Sequence, residues 1–534
     1  MTQKKVARSK SFSLLCISTA AIMLYGAGPL YAVDGSTLFQ KNLFSEAAIA
    51  YQKQIANGSS TIVNRIGLVR SLIRLDKWEE ALQQAHDLVL AYPRSADAHG
   101  LLALTLIRAG RPSKAAIEDS AALSLSTDSY WALVAEGRLQ IWNGEETAAH
   151  ATLIRAANIH PSWPEAWYYI VDTAGSEDSI QPSDFVDLAS YLSLSPKGHP
   201  NNLAMQVLPS RMPLFRALLN HTPFKALNPI TESQMIAADN GGKVETIEIP
   251  IQRQGNYVVI SPAISGKKVR LLFDTGGGSD ITLDKSILNK MNMRPITRSV
   301  IFGVSGKEPT DLYIFPTMEL GGQEFGSIPV ESVSSTPGDF DGIFGVSAFD
   351  SYLLTIDYSN NLLTISRGKN AIAPPPRPGD YNVSLPFHYL DGDILVPAVL
   401  AGNPVWALVD TGADAPALLS LRLARQVAAG MKPNSYKEMN INARLGIGAT
   451  QTQQKIIMFT RTIPLALSDG NKSSLKWDIE PALGADLLDT QISPAEDFEI
   501  GGLLGNGFAA SAKRITFDYP HKLLTLEYPL SRIH

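Results

Sequence analysis

The pattern of apolar and polar positions divides this chain of 534 residues into three parts. From Ser11 to Ala32 the residues are uncharged and mostly apolar. From residue 36 to about 190, small and apolar residues recur with a period of 34, which predicts paired helices. From about residue 246, apolar and β-branched residues alternate between glycine turns, which predicts many short strands. The pattern therefore predicts an all-α solenoid followed by an all-β region.

The 34-residue period is visible at small residues that would lie where paired helices touch: Ala47, Ala81, Ala115 and Ala149. Each unit cannot bury its apolar face alone, so about four units are expected to stack and share a core. This period resembles the tetratricopeptide repeat. The resemblance implies an array that binds peptides or organises a protein partner. The aromatic residues of this part are expected to pack between helices more often than to line a groove.

Six prolines lie between residues 191 and 245, at positions 196, 200, 209, 213, 223 and 229. Proline removes a helical hydrogen bond and clashes with the preceding turn. The segment is therefore predicted to contain no continuous helix and to be a partly ordered connection between the array and the β region.

The β region is an internal duplication. "PAISGKKVRLLFDTGGGSD" from Pro262 aligns with "PAVLAGNPVWALVDTGADA" from Pro397, and "DGIFG" ending at Gly345 aligns with "GGLLG" ending at Gly505. A third pair of blocks, "LTIDYSNNLLTI" and "ITFDYPHKLLTL", follows in the same order. The duplication predicts two related lobes, residues 246–372 and 381–534, joined by a stiff proline-rich linker at residues 373–380.

Each copy carries Asp-Thr-Gly at the end of an apolar strand, followed 71 or 95 residues later by two apolar residues and glycine. This constellation resembles the pepsin and retropepsin clan of aspartyl proteases, whose fold is two β lobes. The resemblance implies that Asp274 and Asp410 are the catalytic pair on a pseudo-twofold axis. It also implies supporting roles for four neighbours. Thr275 and Thr411 would tie the two loops together, and Gly276 and Gly412 would allow the loops to approach closely.

Hydrolysis of an amide by this route needs a water that loses a proton and a carbonyl that gains one. Two adjacent carboxyls that share one proton can do both. Two charges ~4 Å apart repel by ~4 kcal/mol at an effective dielectric of 20, so only one carboxyl ionises readily. Gly277 and Ala413 stand where pepsin-like loops usually carry a hydroxyl that stabilises the carboxylate. We therefore expect a mildly acidic rather than strongly acidic pH optimum.

The family also closes β-hairpin flaps over an extended peptide substrate. Two glycine-flanked turns are candidates, and ordinary hairpin turns remain an equal alternative. The residues concerned are Gly303, Val304, Ser305 and Gly306 in the first copy, and Gly446, Ile447 and Gly448 in the second.

Composition narrows the remaining possibilities. With 46 basic and 51 acidic residues and a pI near 6.0, the chain lacks the cationic excess typical of nucleic-acid binding. Its nine histidines show no metal-ligand spacing, so neither a metal nor another cofactor is predicted. Residues 1–32 are predicted to be a signal peptide, which also holds the single cysteine, Cys16. An uncleaved segment would instead anchor the chain to a membrane.

The sequence therefore predicts an exported aspartic endopeptidase, periplasmic in a Gram-negative bacterium and otherwise secreted. Its helical array would recruit a protein substrate or partner. Two alternatives remain open: a catalytically inactive protease-like scaffold that binds peptides, and a processing enzyme that cuts one exported protein.

Overall fold

The computed structural model describes residues 34–173, 186–187, 189–190, 203–219, 221, 223–228, 235–237, 243–277, 281–303, 306–336, 338–349, 352–367, 371–390, 392–443, 452–468, 474–480 and 482–529. The predicted export segment at residues 1–32 lies outside them. Within these ranges, no helix is both long enough and apolar enough to cross a membrane.

Helices paired in an array make up residues 35–172. Their bounds are α1 Gly35–Gln40, α2 Phe44–Ala56, α3 Ile62–Arg74, α4 Trp78–Ala91, α5 Ala96–Arg108, α6 Pro112–Leu125, α7 Tyr130–Asn143, α8 Glu146–Ile159 and α9 Pro164–Asp172. The side chains of Thr61, Ser95 and Ser129 cap the starts of α3, α5 and α7, again 34 residues apart. The four alanines of the period are fully buried. The predicted helical repeats are confirmed.

The prediction that prolines prevent a continuous helix between residues 191 and 245 is wrong. Helix α10 runs from Leu203 to Leu218 and contains both Pro209 and Pro213. A proline inside a helix costs about 3 kcal/mol, and tertiary packing offsets that cost here. The last turn buries Leu214 and Leu218 in the core that the array shares with the β region.

The β region begins at the end of this connection. The bounds of its first half are β1 Lys225–Ala226, β2 Met235–Ala237, β3 Lys243–Pro250, β4 Gln252–Gln254, β5 Tyr257–Ile260, β6 Ala263–Ile264, β7 Lys267–Lys268, β8 Leu271–Asp274, β9 Ile281–Asp284, α11 Lys285–Lys290, β10 Thr297–Gly303, β11 Gly306–Leu320, β12 Gln323–Val333, β13 Gly342–Gly345, β14 Leu353–Asp357 and β15 Leu362–Arg367.

The second half repeats the order of aspartate strand, strand, short helix and hairpin, and it has further elements before β26. Its bounds are β16 Asp380–Pro386, β17 His388–Leu390, β18 Asp393–Leu400, β19 Asn403–Asp410, β20 Ala417–Ser420, α12 Leu421–Ala429, β21 Tyr436–Ala443, β22 Thr452–Phe459, β23 Ile463–Ser468, β24 Ser474–Ile479, β25 Leu483–Ala485, a π-helical turn Leu488–Ile492, α13 Ser493–Glu496, β26 Gly502–Gly505, α14 Asn506–Ala509, β27 Arg514–Asp518 and β28 Leu523–Pro529.

The two halves have the same topology around one strand each. In the first, β13 is parallel to β8 and antiparallel to β9. In the second, β26 is parallel to β19 and antiparallel to β20. The predicted fold class, helical repeats followed by two β lobes, is therefore confirmed.

A third sheet joins the lobes, in the order β16-β28-β27-β14-β15-β3-β2. Its centre is the antiparallel pair β14 and β27, one strand from each lobe, with Thr355 opposite Thr516. The linker at residues 373–380 lies against this sheet, since Arg514 donates to the carbonyl of Pro375 at 2.6 Å. The distance between the lobes is therefore set by the shared sheet and not by the stiffness of the linker.

The array holds a buried carboxyl with an unusual charge state. Asp119, on α6, is only 6% exposed, and its Oδ1 atom is enclosed by the protein. Burial, and to a lesser degree the charge of Glu136, raises its pKa to about 7. The folded state therefore favours the protonated carboxyl, and it loses stability as the pH rises from the ordinary pKa of 3.8 through about 7.

We therefore predict that Asp119→Asn raises the thermal unfolding midpoint at pH 7.5 and changes it little at pH 4, because the amide cannot ionise. Asp128→Asn is the matched control, since the Asp128 side chain is 82% exposed. Thermal unfolding followed by circular dichroism at the two pH values measures the effect. An equal shift at both would contradict the assignment.

Candidate active site

Asp274 and Asp410 end two equivalent strands, β8 and β19. Each lies opposite the terminal glycine of the neighbouring parallel strand, Gly345 in the first lobe and Gly505 in the second. A side chain at Gly505 would not fit, because its Cβ would lie 2.0 Å from the carbonyl oxygen of Ala415. The repeated apolar-apolar-glycine sequence thus lets a strand pass directly beneath each aspartate loop.

Reciprocal hydrogen bonds tie the two aspartate loops together. The backbone N–H of Thr275 donates to Thr411 Oγ1, and the N–H of Thr411 donates to Thr275 Oγ1, both at 3.0 Å. Each hydroxyl then donates across to the other lobe, Thr275 to the carbonyl of Val409 at 3.0 Å and Thr411 to that of Phe273 at 3.1 Å. Both threonines are fully buried, so these bonds do not compete with water.

The glycine after each threonine faces the carboxyl of the other lobe. A Cβ at Gly276 would lie 2.9 Å from Asp410 Cγ, and one at Gly412 would lie 2.4 Å from Asp274 Cγ. Both are below the distance at which atoms can pack without displacement. The two carboxyls can therefore approach only because neither loop carries a side chain at this position.

The two carboxyls are half-buried, and each accepts hydrogen bonds from the backbone of its own loop. Gly276 N–H donates to Asp274 Oδ1 at 2.9 Å, while Asp410 Oδ1 accepts from Gly412 N–H at 2.7 Å and Ala413 N–H at 3.2 Å. Burial raises the pKa of Asp274 well above its ordinary value, and the adjacent Asp410 raises it further. Burial also raises the pKa of Asp410. The pair therefore holds a shared proton to higher pH than an exposed carboxyl would.

This geometry agrees with a comparison of the sequence with protein families. Residues 260–348 match the aspartyl protease family. The match includes Asp274 and the parallel strand that ends at Gly345. No curated protein matches the chain in sequence.

Several solved structures resemble parts of the chain. The aspartic proteinase from Irpex lacteus covers 53% of this chain and 98% of its own, with 11% identity and a TM-score of 0.34. A retropepsin-like aspartic protease from Rickettsia conorii covers 23% and 90%, with 21% identity and a TM-score of 0.17. A thermophilic TPR protein from Thermus thermophilus covers 35% and 95%, with 18% identity and a TM-score of 0.26.

Tyr257, on β5 of the first lobe, is a residue near the carboxyl pair that the sequence did not single out. Its ring meets Phe340 edge-on, with the ring centroids 5.5 Å apart. Its pKa is raised by burial and then by the charges of Asp414, Asp410 and Asp274. The duplication places Gly392 at the equivalent position of the second lobe, so the two sides of the site differ.

Asn506, on α14, is a second residue that the sequence did not single out. Its side chain is fully buried and links the lobes. Oδ1 accepts from the hydroxyl of Tyr358 at 2.8 Å, and Nδ2 donates to the carbonyl of Asn256. Val346 stands at the equivalent position of the first lobe, and that mismatch between the copies was the available signal.

The flap candidates are described in part. Gly303 pairs with Gly306 at the end of the hairpin formed by β10 and β11, while Val304 and Ser305 lie outside the described residues. In the second lobe, β21 and β22 pair up to Ala443 and Thr452, and Gly446, Ile447 and Gly448 lie outside the described residues. Closure of either hairpin over a substrate stays a prediction.

The described residues contain no group of three or more histidine, cysteine or acidic side chains arranged to hold a metal ion.

We predict that Thr411→Val lowers the free energy of unfolding by about 2–4 kcal/mol, because it leaves two buried backbone groups, Thr275 N–H and the Phe273 carbonyl, without their partner. Thr411→Ser keeps the hydroxyl and is the matched control, with a markedly smaller expected loss. Urea unfolding of both variants measures the difference. Equal losses would mean that the hydrogen bonds of the hydroxyl stabilise the protein no more than the methyl group does, which would contradict the prediction.

Proposed function

We propose that the protein is an aspartic endopeptidase in which Asp274 and Asp410 hydrolyse peptide bonds through an activated water. The observation that carries the proposal is the reciprocal threonine network, which holds two half-buried carboxyls next to each other across the lobes. Bringing two carboxyls together out of water costs free energy. Such pairs with perturbed pKa values are therefore found mainly at functional sites. The match of residues 260–348 to the aspartyl proteases supports the same reaction class.

The shared proton gives the two carboxyls complementary roles. The ionised carboxylate takes a proton from the attacking water as the water oxygen bonds to the peptide carbonyl carbon, and the protonated carboxyl gives its proton to the carbonyl oxygen. The resulting diol then collapses. The C–N bond breaks, a proton passes to the leaving nitrogen, and the pair returns to its singly protonated form. No covalent bond to the protein forms.

The substrate is proposed to be a protein or peptide bound in an extended conformation beneath the hairpin of β10 and β11. Residues Gly303, Val304, Ser305 and Gly306 would form the tip of that flap, and Gly446, Ile447 and Gly448 that of the second. Export, to the periplasm of a Gram-negative bacterium or otherwise out of the cell, remains a proposal that rests on residues 1–32.

The rival function is a peptide-binding scaffold without catalysis. A scaffold that only binds peptides needs no shared proton. That function therefore does not explain why the two carboxyls are held next to each other. Retention of both aspartates together with both threonines favours the enzyme.

We predict that the chain cleaves members of a mixed peptide library between pH 3 and 7, and that Asp274→Asn and Asp410→Asn each reduce cleavage by at least about 10³-fold, because general acid–base catalysis is lost. Asp128→Asn, on the exposed surface of the array, should leave cleavage unchanged. Product analysis by mass spectrometry measures the rates. A folded, unmutated chain that cuts neither the library nor exported proteins would favour the scaffold.

We further predict a mildly acidic optimum that Gly277→Ser moves to lower pH. A hydroxyl there can donate to Asp274, stabilise the carboxylate and lower the pKa of the pair. The space suffices, since a Cβ at Gly277 would lie 3.5 Å from Asp274 Cγ.

Gly277→Ala is the matched control for that experiment, because it adds the Cβ without the hydroxyl. The pH dependence of kcat for the three proteins measures the shift. Activity depends on one shared proton, so it falls above the upper pKa and below the lower one. A serine profile identical to the alanine profile would sink this explanation.

A further inference from the structure

The second lobe contains an insertion that the first lobe lacks. The interval from the aspartate to the terminal glycine is 71 residues in the first lobe and 95 in the second. Part of the extra length lies between β25 and β26, where the chain forms the π-helical turn and α13 before it reaches Gly502. We call Ser493–Gly501 the docking loop, because it lies against the helical array.

An acidic side chain anchors the docking loop to the array. Asp497 is 3% exposed and forms an ion pair with Arg108 at the end of α5. Its Oδ2 atom also accepts from the hydroxyl of Tyr169, on α9, at 2.6 Å. Loss of one partner from such a buried pair leaves an uncompensated charge, so this contact strongly favours the docked arrangement.

Hydrogen bonds to backbone groups of the docking loop fix its register against the array. Arg138 Nη2 donates to the carbonyl of Glu496 at 2.9 Å, and the N–H of Glu499 donates to the carbonyl of Arg108 at 2.8 Å. Gly110 permits the approach, since a Cβ there would lie 3.1 Å from the carbonyl oxygen of Glu499.

Aromatic stacking completes the contact. Phe498 is 1% exposed and stacks on Trp142, with ring centroids 4.5 Å apart and an interplanar angle of 13°. Arg74, Arg108 and Trp142 are spaced by 34 residues, so they occupy the same position in three successive repeats. The docking loop therefore lies on the face formed by the first helices of the repeats.

The docking loop leads directly into the strand beneath Asp410. Gly501 N–H donates to the carbonyl of Trp406, on β19, at 3.0 Å. The next residues are β26, which pairs with β19 up to Gly505 opposite Asp410. Asn506 N–H then donates to the carbonyl of Ala413 in the aspartate loop at 2.8 Å. A displaced docking loop would shift this strand and, through it, the Asp410 carboxyl.

The equivalent connection in the first lobe is held by that lobe itself. Asp341, just before β13, accepts from the backbone N–H of Arg270 at 2.8 Å and donates its own N–H to the carbonyl of Arg270 at 2.8 Å. The second lobe has the same backbone bond, from Gly501 N–H to the Trp406 carbonyl, but Gly501 offers no carboxylate. Its connection is held in addition by helices far away in sequence.

We propose that Arg108 and Trp142 of the helical array are positioning residues for Asp410, acting through the docking loop and β26. The array would then support the catalytic site directly, in addition to recruiting a substrate or partner. This inference rests on the proposed peptidase function. A displacement of about 1 Å in a catalytic group can cost about 100-fold in rate, so modest movement of the loop suffices for a measurable effect.

The test compares Arg108→Ala with Arg108→Lys, which keeps the charge, and with Arg155→Ala, which breaks an exposed array ion pair of 3.4 Å to Asp128. A peptide cleaved by the unmutated chain and too short to reach the array is the substrate. We expect Arg108→Ala to lower kcat by about tenfold or more with KM changed by less than about twofold. The lysine variant should recover most of kcat, and Arg155→Ala should match the unmutated chain.

Hydrogen exchange gives a readout that needs no activity. In Arg108→Ala, the amides of Leu503 to Asn506 should exchange faster, while those of Ile343 to Gly345 in the first lobe should not change. Asp497→Asn, which keeps a partner for Tyr169, serves as the second variant should Arg108→Ala fail to fold.

Unchanged kcat in a folded variant with faster exchange at Leu503 would overturn the positioning role. Exchange could instead become faster in both lobes while kcat falls only in proportion to the fraction of unfolded protein. The contact would then contribute only to overall stability, and the positioning role would again be overturned. If the unmutated chain cleaves nothing, the peptidase proposal fails by itself, and exchange at Leu503 to Asn506 alone decides whether the array supports the Asp410 loop.

Discussion

The structure depends on keeping two like-charged groups together inside the protein. Asp274 and Asp410 repel each other when both are ionised, and burial increases the cost of either charge. The reciprocal bonds of Thr275 and Thr411 oppose this by linking the two loops through four backbone groups. The shared sheet at β14 and β27 opposes it over a longer distance. The shared proton removes most of the remaining repulsion, so protonation state and lobe arrangement depend on each other.

Around this symmetric centre, the two lobes carry different side chains at equivalent positions. The first lobe has Tyr257, whose pKa the charges of the two carboxyls help to raise, where the second lobe has Gly392. Asn506 links the second lobe to Asn256 and Tyr358 of the first, where the equivalent position is Val346. The two sides of the carboxyl pair therefore present different groups. Under the proposed peptidase function, this difference would let the site favour one direction of a bound peptide.

The sequence predicted what depends on local or repeated patterns. The 34-residue period gave the helices, and the three matched blocks gave both aspartate loops together with the strands beneath them. It could not predict α10, because Pro209 and Pro213 oppose a helix locally and only packing of Leu214 and Leu218 offsets them. Nor could it predict that Arg108 meets Asp497, because an ion pair between distant segments leaves no periodic or local signal.

The contact between the helical array and the β region also bears on what the array does. A groove on a repeat array is expected to take a peptide from another protein, yet here part of the face formed by the first helices already holds the chain's own Glu496–Glu499. An attached segment acts at a high effective concentration, in the millimolar range for short tethers, so an external peptide of similar chemistry would compete poorly. A partner would find more accessible apolar side chains elsewhere on the repeats, such as Ile49, Leu90 and Ile117. The array can then bind a partner on one surface while another surface holds the second lobe in place, and neither role excludes the other.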